Sequence, residues 1–237
     1  MKALILNSGI GKRMGGLTSD RCKCMVEIAN GASIIDEQLK RLHQCGIDEI
    51  CVTTGPFAGE LESYLRSGYP NTHFEFINNP LYAKTNYIYS IYLARESLDS
   101  DILMLHGDLV FETSVLQDIM SSKQSVMAVD STKPLPVKDF KAVVKNGRVI
   151  SVGVEFFDDA IYAQPLYKLL RADWEIWLGE ICRFCSDGTT DVYAENALNG
   201  ISDKLNLFPL DALGRACFEI DDLDDLAYAK KAYAKLS

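Results

Sequence analysis

No stretch of this chain stays apolar for long enough to span a bilayer, so membrane insertion is not expected. Its N-terminus is a strand-like apolar run without the layout of a signal peptide, and a cytoplasmic protein is expected. Basic residues are in deficit, 24 against 33 acidic ones, for a formal charge of −9. A general nucleic-acid binder needs a basic face for phosphates, so that class is excluded. Histidine is scarce: His43, His73 and His106 are scattered and read as satisfied or exposed residues. The seven cysteines are an odd count, and disulfides are not expected in a cytoplasmic chain. Cys22-x-Cys24 and Cys182-x-x-Cys185 could be imagined as four zinc ligands, but the first pair sits among cations and the second on a predicted helix beside Phe184. Both read as core. Internal repeats and long flexible linkers are also missing.

What is present begins at the third residue. Residues 3–26 read ALILNSGIGKRMGGLTSDRCKCMV. A buried strand over 3–6 breaks into a loop holding Gly9, Gly11, Gly15 and Gly16 together with Lys12, Arg13, Arg21 and Lys23. Glycine lets backbone N–H groups approach a ligand closely, and successive N–H groups make an anion-binding concavity. Cationic side chains on the same loop suit phosphate oxygens. A dinucleotide fingerprint is excluded, because Met14 stands at its third glycine and no acid ends the next strand. A P-loop is excluded, because Gly11–Lys12 is followed by Arg13 and its earlier glycine position is Leu6. The nucleotidylyltransferase pattern L-x-x-G-x-G-x-R-M/L, with a Lys about ten residues on, fits from Leu6 to Met14 and at Lys23.

Strands are expected at 50–54, 73–77, 102–105 and 126–129, with helices at 33–45, 59–65, 86–98 and 114–121 between them. This alternation predicts an α/β fold: a mostly parallel mixed sheet with helices on both faces. Ligands of such sheets lie beyond the carboxyl ends of the strands, so the glycine loop, Asn78–Asn79 and Gly107–Asp108 should meet along one rim. After Asp130 the pattern changes. Asn146–Gly147 between two apolar runs, 142–145 and 148–152, predicts a hairpin, read as a small β-excursion. A strand at 160–164, a helix at 174–185, a late strand at 205–210 and a terminal helix at 224–236 complete the expectation. The whole of 1–237 is read as one nucleotidyltransferase domain, with the acceptor-binding part at about 131–210.

Two acidic positions could serve a cation. Asp108 directly follows a buried strand, and Glu219-Ile220-Asp221-Asp222 precedes the last helix. Mg²⁺ bridging phosphates takes one or two protein carboxylates and fills its shell with water, so one acid from each place would suffice.

These segments together resemble the bacterial choline-phosphate cytidylyltransferases, within the nucleotidyltransferase superfamily of glycosyltransferase-A-like fold. The resemblance covers nearly the whole length: LNSGIGKRM, CKCMVEI, NNPLYAKTNYIYSIYLA, HGDLVF and FEIDDLDDLAYA. It implies that Arg13 and Lys23 hold the triphosphate and neutralise charge at the α-phosphorus, as catalytic residues. It implies a nucleotide site of Leu6, Asn7, Ser8, Gly9, Gly11, Lys12, Arg13, Ser90 and Gly107, and Mg²⁺ on Asp108 and Asp221. Asn7–Ser8 stands where Ala–Ala is commonest, Cys22 replaces the usual proline before Lys23, and Tyr87 replaces an Asn and is left unassigned.

The implied reaction is attack of a phosphate or phosphonate oxygen on the α-phosphorus of CTP, with pyrophosphate leaving. The acceptor would be a small phosphorylated or phosphonate amine: phosphocholine, phosphoethanolamine or 2-aminoethylphosphonate. A cationic head group favours aromatic faces and a carboxylate. Glu195, Tyr193 and Trp174 are the candidates for it. A homodimer, or fusion to a downstream enzyme domain, is compatible with such an enzyme. Two alternatives stand beside this one: a sugar-1-phosphate nucleotidylyltransferase and a catalytically dead nucleotide-binding module.

Overall fold

The computed structural model describes residues 1–233. The chain opens with β1 (Lys2–Leu6), whose side chains alternate between two faces. Ala3 and Ile5 enter one apolar core, Leu4 and Leu6 the other. Being buried on both faces explains why the strand reads as a continuous apolar run. The glycine loop follows, then a small ribbon, β2 (Glu27–Ala29) and β3 (Ala32–Ser33). Helix α1 (Ile34–Gln44) starts at a capping box in which Ser33 and Asp36 satisfy each other's backbone N–H. Then come β4 (Glu49–Thr54), α2 (Ala58–Gly68), β5 (His73–Asn78), α3 (Tyr87–Ala94) and β6 (Ile102–His106).

Strands β6, β1, β4 and β5 lie side by side and parallel, so their carboxyl ends form a single rim. Leu6, Thr53 and His106 stand in register there. The next elements are β7 (Leu109–Phe111), α4 (Thr113–Ser121) and β8 (Ser125–Asp130), then β9 (Lys141–Lys145) and β10 (Arg148–Gly153). The β9–β10 hairpin turns through Asn146 and Gly147, both at positive φ. It does not leave the sheet: β9 pairs with β11 (Ala160–Leu169), and the hairpin forms one edge of the nine-stranded sheet. Strand β11 runs well past Gln164. Pro165 has no N–H to give, and the ladder to β8 skips between Ala163 and Tyr167, a bulge that carries the proline. Helices α5 (Arg171–Ser186) and α6 (Ala194–Asn199), strands β12 (Leu207–Asp211) and β13 (Cys217–Glu219), and α7 (Leu223–Tyr233) follow. The part of the expected terminal helix beyond Tyr233 lies outside the described residues.

A third, smaller core decides the geometry of the rim. Met14, Val26, Ile28 and Ile34 pack with Val110, Phe218, Ile220 and Leu226. The methionine of the glycine loop is fully buried there, so the loop is nailed to the β7–β13 ribbon and to α7. Among the described residues no helix is long and apolar enough to cross a membrane.

Candidate active site

The end of β1 supplies the floor. The Asn7 backbone N–H and the Ser8 hydroxyl both donate to Thr53 Oγ1, at 3.1 and 3.0 Å. Ser90 Oγ on α3 donates to Ser8 Oγ at 2.8 Å, and Asn79 Nδ2 donates to Ser90 Oγ at 2.9 Å. One buried chain of hydroxyls and amides thus ties β1, β4, the loop after β5 and α3 together. Gly107 is required by close approach: a Cβ there would sit 1.7 Å from Asn7 Oδ1. Gly11 has φ +70°, where an L side chain is strained, and it opens the loop's short helical turn. Lys12, Arg13, Gly9, Gly11, Leu6, Asn7, Lys23, Asp108 and Asp221 line one cleft of about 250 Å³.

Asp108 and Asp221 come from places 113 residues apart in the chain. The antiparallel ribbon β7–β13 brings them together, pairing Leu109 with Glu219, and the Ile220 N–H donates to the Asp108 carbonyl at 3.0 Å. Lys23 Nζ lies 2.6 Å from Asp108 Oδ2 and 2.8 Å from Asp221 Oδ1, and Arg13 reaches the same Asp221 oxygen at 2.9 Å. One ammonium therefore bridges both carboxylates. Burial opposes the charge on Lys23, but the carboxylates of Asp108 and Asp221 outweigh it and hold the ammonium above its ordinary range. Burial likewise pushes Asp108 up, and the charges of Lys23 and His106 overcome that, keeping it a carboxylate. Its second oxygen, Oδ1, is buried without a hydrogen-bond partner.

A second cleft, lined by Ser8, Asn79, Tyr82, Thr85, Asn86, Tyr87, Ser90 and His106, adjoins the first. A third, of about 500 Å³, runs from Arg13 and Asp221 past Tyr87, His106, Lys138, Asp139, Phe140, Tyr193 and Glu219. Tyr87, His106, Phe140 and Tyr193 form a ring of aromatic contacts, with centroids 4.7 to 6.4 Å apart.

The acceptor candidates separate here. Tyr193 is 39% exposed and lines the third cleft. Glu195 is buried and accepts hydrogen bonds from the hydroxyls of Tyr87 and Tyr167, so it positions Tyr87 instead of facing the cleft. Trp174 must be corrected: it is fully buried in the core against Trp177, and its indole N–H donates to the Leu98 carbonyl at 2.9 Å. Its large apolar face is used by α5 to cover the sheet. His106 is satisfied at Nδ1, 2.8 Å from Glu219 Oε1, and it sits at the rim between two clefts. Burial works against its charge, yet Glu219 and the neighbouring acids raise it to about 9. Burial and the nearby Asp108 push Glu219 upward. Asn79, placed on the rim by its strand end, lines the second cleft as expected; Tyr87 and His106 line it too, although the sequence assigns neither a role.

Residues 2–141 match the family model described as nucleotidyl transferase, and the chain belongs to that family. A CMP-5'-(3-aminopropyl)phosphonate synthase from Streptomyces rubellomurinus is 31% identical over 67% of this chain and 25% of its own length. A CTP:phosphoglutamine cytidylyltransferase from Campylobacter jejuni is 34% identical over 54% of this chain and 52% of its own. The chain thus spans about a quarter and about half of these two relatives. A choline-phosphate cytidylyltransferase from Streptococcus pneumoniae is 26% identical over 95% of both chains. Among solved structures, a CTP:phosphocholine cytidylyltransferase from Streptococcus pneumoniae superposes with a TM-score of 0.78 at 20% identity, over 98% of each chain, a likeness of fold.

Proposed function

We propose that this protein is a cytidylyltransferase that moves CMP from CTP to a small phospho- or phosphono-alkylamine and releases pyrophosphate. The observation that carries the reading is the convergence of Arg13, Lys23, Asp108 and Asp221 on one cleft at the sheet's carboxyl rim. CTP and the phosphorylated amine come from the names of the relatives, which act on an aminopropylphosphonate, a phosphoglutamine and a choline phosphate.

In this reading the triphosphate lies along the glycine loop, on Lys12 and Arg13, with the nucleoside against Asn7, Ser8, Ser90 and Gly107. Asn7 Nδ2 is buried and without a partner, so it has a donor to offer a ligand. The acceptor's phosphate oxygen forms a bond to the α-phosphorus while the bond to the bridging oxygen of pyrophosphate breaks. The nucleophile is already an anion, so no general base is required. The barrier is the meeting of two anions, and it is lowered by holding them in line and by cations placed beside the reacting phosphorus. Lys23 and Arg13 supply that charge. Mg²⁺ fits the site as well: Asp108 Oδ1 is an unpaired buried oxygen, and Asp221 lies close enough to share one ammonium with Asp108. Asp108 and Asp221 would hold the ion, which when bound would neutralise phosphate charge.

The amine end is assigned to the third cleft. Tyr193, Tyr87 and Phe140 provide ring faces, and Asp139 and Glu219 provide the acids that a cationic head group needs. Pyrophosphate release, measured for four nucleoside triphosphates against a panel of phosphorylated amines and sugars with Mg²⁺, tests the proposal. Turnover confined to CTP with amine phosphates or phosphonates supports it. Preference for a sugar 1-phosphate, or no release with any pair, overturns it in favour of a sugar nucleotidylyltransferase or a binding module.

A further inference from the structure

The lysine that opens β9 has no part in the reaction described above. Lys141 is fully buried, although an ammonium taken out of water is costly unless it is paired. Its Nζ donates to the Pro136 carbonyl at 2.8 Å and lies 4.1 Å from the centre of the Phe157 ring. Burial pulls its pKa below the ordinary 10.5, and the carboxylates of Asp139 and Glu155 resist that pull. Pro136 lies in the loop between β8 and β9, Phe157 in the loop between β10 and β11. The first loop needs such a pin. Residues 133–139 form neither helix nor strand, and among the described residues none of their main-chain groups pairs with other main chain. Side chains hold them instead: Lys133 reaches Asp130 at 3.3 Å, Lys141 takes Pro136, and the Tyr162 hydroxyl donates to Asp139 Oδ2 at 3.1 Å. Lys141 and Tyr162 are register partners on β9 and β11, so the sheet itself sets where the loop runs. Val137, Lys138 and Asp139 of this loop wall the third cleft, and Val154 of the other loop lines it too.

We propose that Lys141 is a positioning residue for the acceptor: its buried ammonium fastens the two loops together and so fixes the wall of the third cleft, Asp139 above all. The proposal rests on the assignment of the amine end to that cleft. Pro134 and Pro136 already fix φ at two positions, so one pinned carbonyl leaves the segment little freedom before it enters β9 at Lys141. A cationic head group gains from Asp139 and from the faces of Phe140 and Tyr193 only where these stay in place, and order established before binding does not count against affinity. A methionine would fill much the same volume without the cost of drying a charge, so packing alone does not account for a lysine here.

Lys141→Met tests this, because it keeps the apolar bulk of the stem and removes the donor and the charge. The acceptors used are phosphocholine, phosphoethanolamine and 2-aminoethylphosphonate, each with CTP and Mg²⁺. The acceptor KM is expected to rise at least about tenfold, the scale of one lost hydrogen bond to a charged group, while the KM for CTP stays within about twofold. The melting temperature is expected to stay within about 3 °C, since the lost hydrogen bond is offset by relief of a buried charge. Trypsin cleavage after the exposed Lys138, identified by mass, is expected to run at least about fivefold faster in the variant, because the freed loop opens more often. An unchanged acceptor KM or an unchanged cleavage rate overturns the proposal. So does a rise in both KM values together with a larger fall in melting temperature, which marks a merely structural role. Wild type that turns over none of the three acceptors removes the reading of the third cleft and the proposal with it; the cleavage rates need no substrate and report the pin separately. Should Lys141→Met fail to fold, Phe157→Leu decides, since that ring is half exposed and its loss weakens the same pin. An acceptor KM raised at least about threefold with faster cleavage supports the proposal, and wild-type values of both refute it.

Discussion

Lys23 is the residue on which structure and chemistry lean together, and its removal should separate the two. Its ammonium lies within 2.8 Å of an oxygen on each of two carboxylates, and all three side chains are about one-fifth exposed or less. In Lys23→Ala, Asp108 and Asp221 are left facing each other across a partly dehydrated gap, with Arg13 touching only Asp221. Breaking a buried pair by deleting one partner costs about 3–5 kcal/mol, because the stranded charge stays buried. The partial exposure here argues for the lower end, about 3 kcal/mol. For a chain of this length each kcal/mol is worth roughly 2–4 °C, so the metal-free variant should melt about 6–12 °C below wild type. A divalent cation can take over the charge balance, but in the proposed reaction it cannot replace the ammonium at the α-phosphorus. Excess Mg²⁺ should therefore recover most of the lost melting temperature, while turnover stays at least about a hundredfold down. Calorimetric melts with and without Mg²⁺, beside pyrophosphate release, read both effects. Metal-free Lys23→Ala melting with wild type, or near-normal turnover in it, would refute the reasoning.

Gly107→Ala should drive its new methyl into the Asn7 amide, which lies 1.7 Å from that position, and raise the KM for nucleotide; Asn7→Ala in the same chain should relieve it. Trp174→Phe should lower stability by about 1–3 kcal/mol through the lost buried hydrogen bond and leave the acceptor KM within about twofold. Tyr193→Ala, at a half-exposed cleft position, should do the reverse, raising acceptor KM with little change in melting temperature. Burial works to raise Asp36, but the hydroxyls of Tyr64 and Tyr69, at 2.6 and 2.7 Å, and Ser33 outweigh it and keep the carboxyl below its ordinary value of 3.8. A lowered carboxyl stabilises the fold above its unfolded pKa, and that share is lost as pH falls through the folded value. The melting-temperature gap between wild type and Tyr69→Phe should thus be full at pH 6–7 and shrink below about pH 4.

Much of this protein was legible before folding was considered. Strand β1 is apolar because it is buried on both faces, so a plain hydrophobic run marks it. The capping residue Ser33 and the Asn146–Gly147 turn act through their own backbone neighbours, and both appear where the sequence puts them. The glycine loop is legible for the same reason: glycine spacing and cations are local facts, and even Met14 is part of the pattern.

What the sequence could not decide is held by contacts between distant residues. Three-residue strands such as β7 and β13 carry too few residues for a periodic signal, yet their pairing places Asp221 beside Asp108 and Glu219 against His106. A tryptophan reads the same whether it packs in a core or lines a cleft, and only the seating of α5 on the sheet sends Trp174 inward. Glu195 shows the same rule from the polar side: the two tyrosines that claim its oxygens arrive from α3 and β11. Local order follows from neighbours in the chain, so the sequence by itself settles it. Which charges meet, and which aromatic faces stay open, depends on how layers pack, and that was settled only by the tertiary structure.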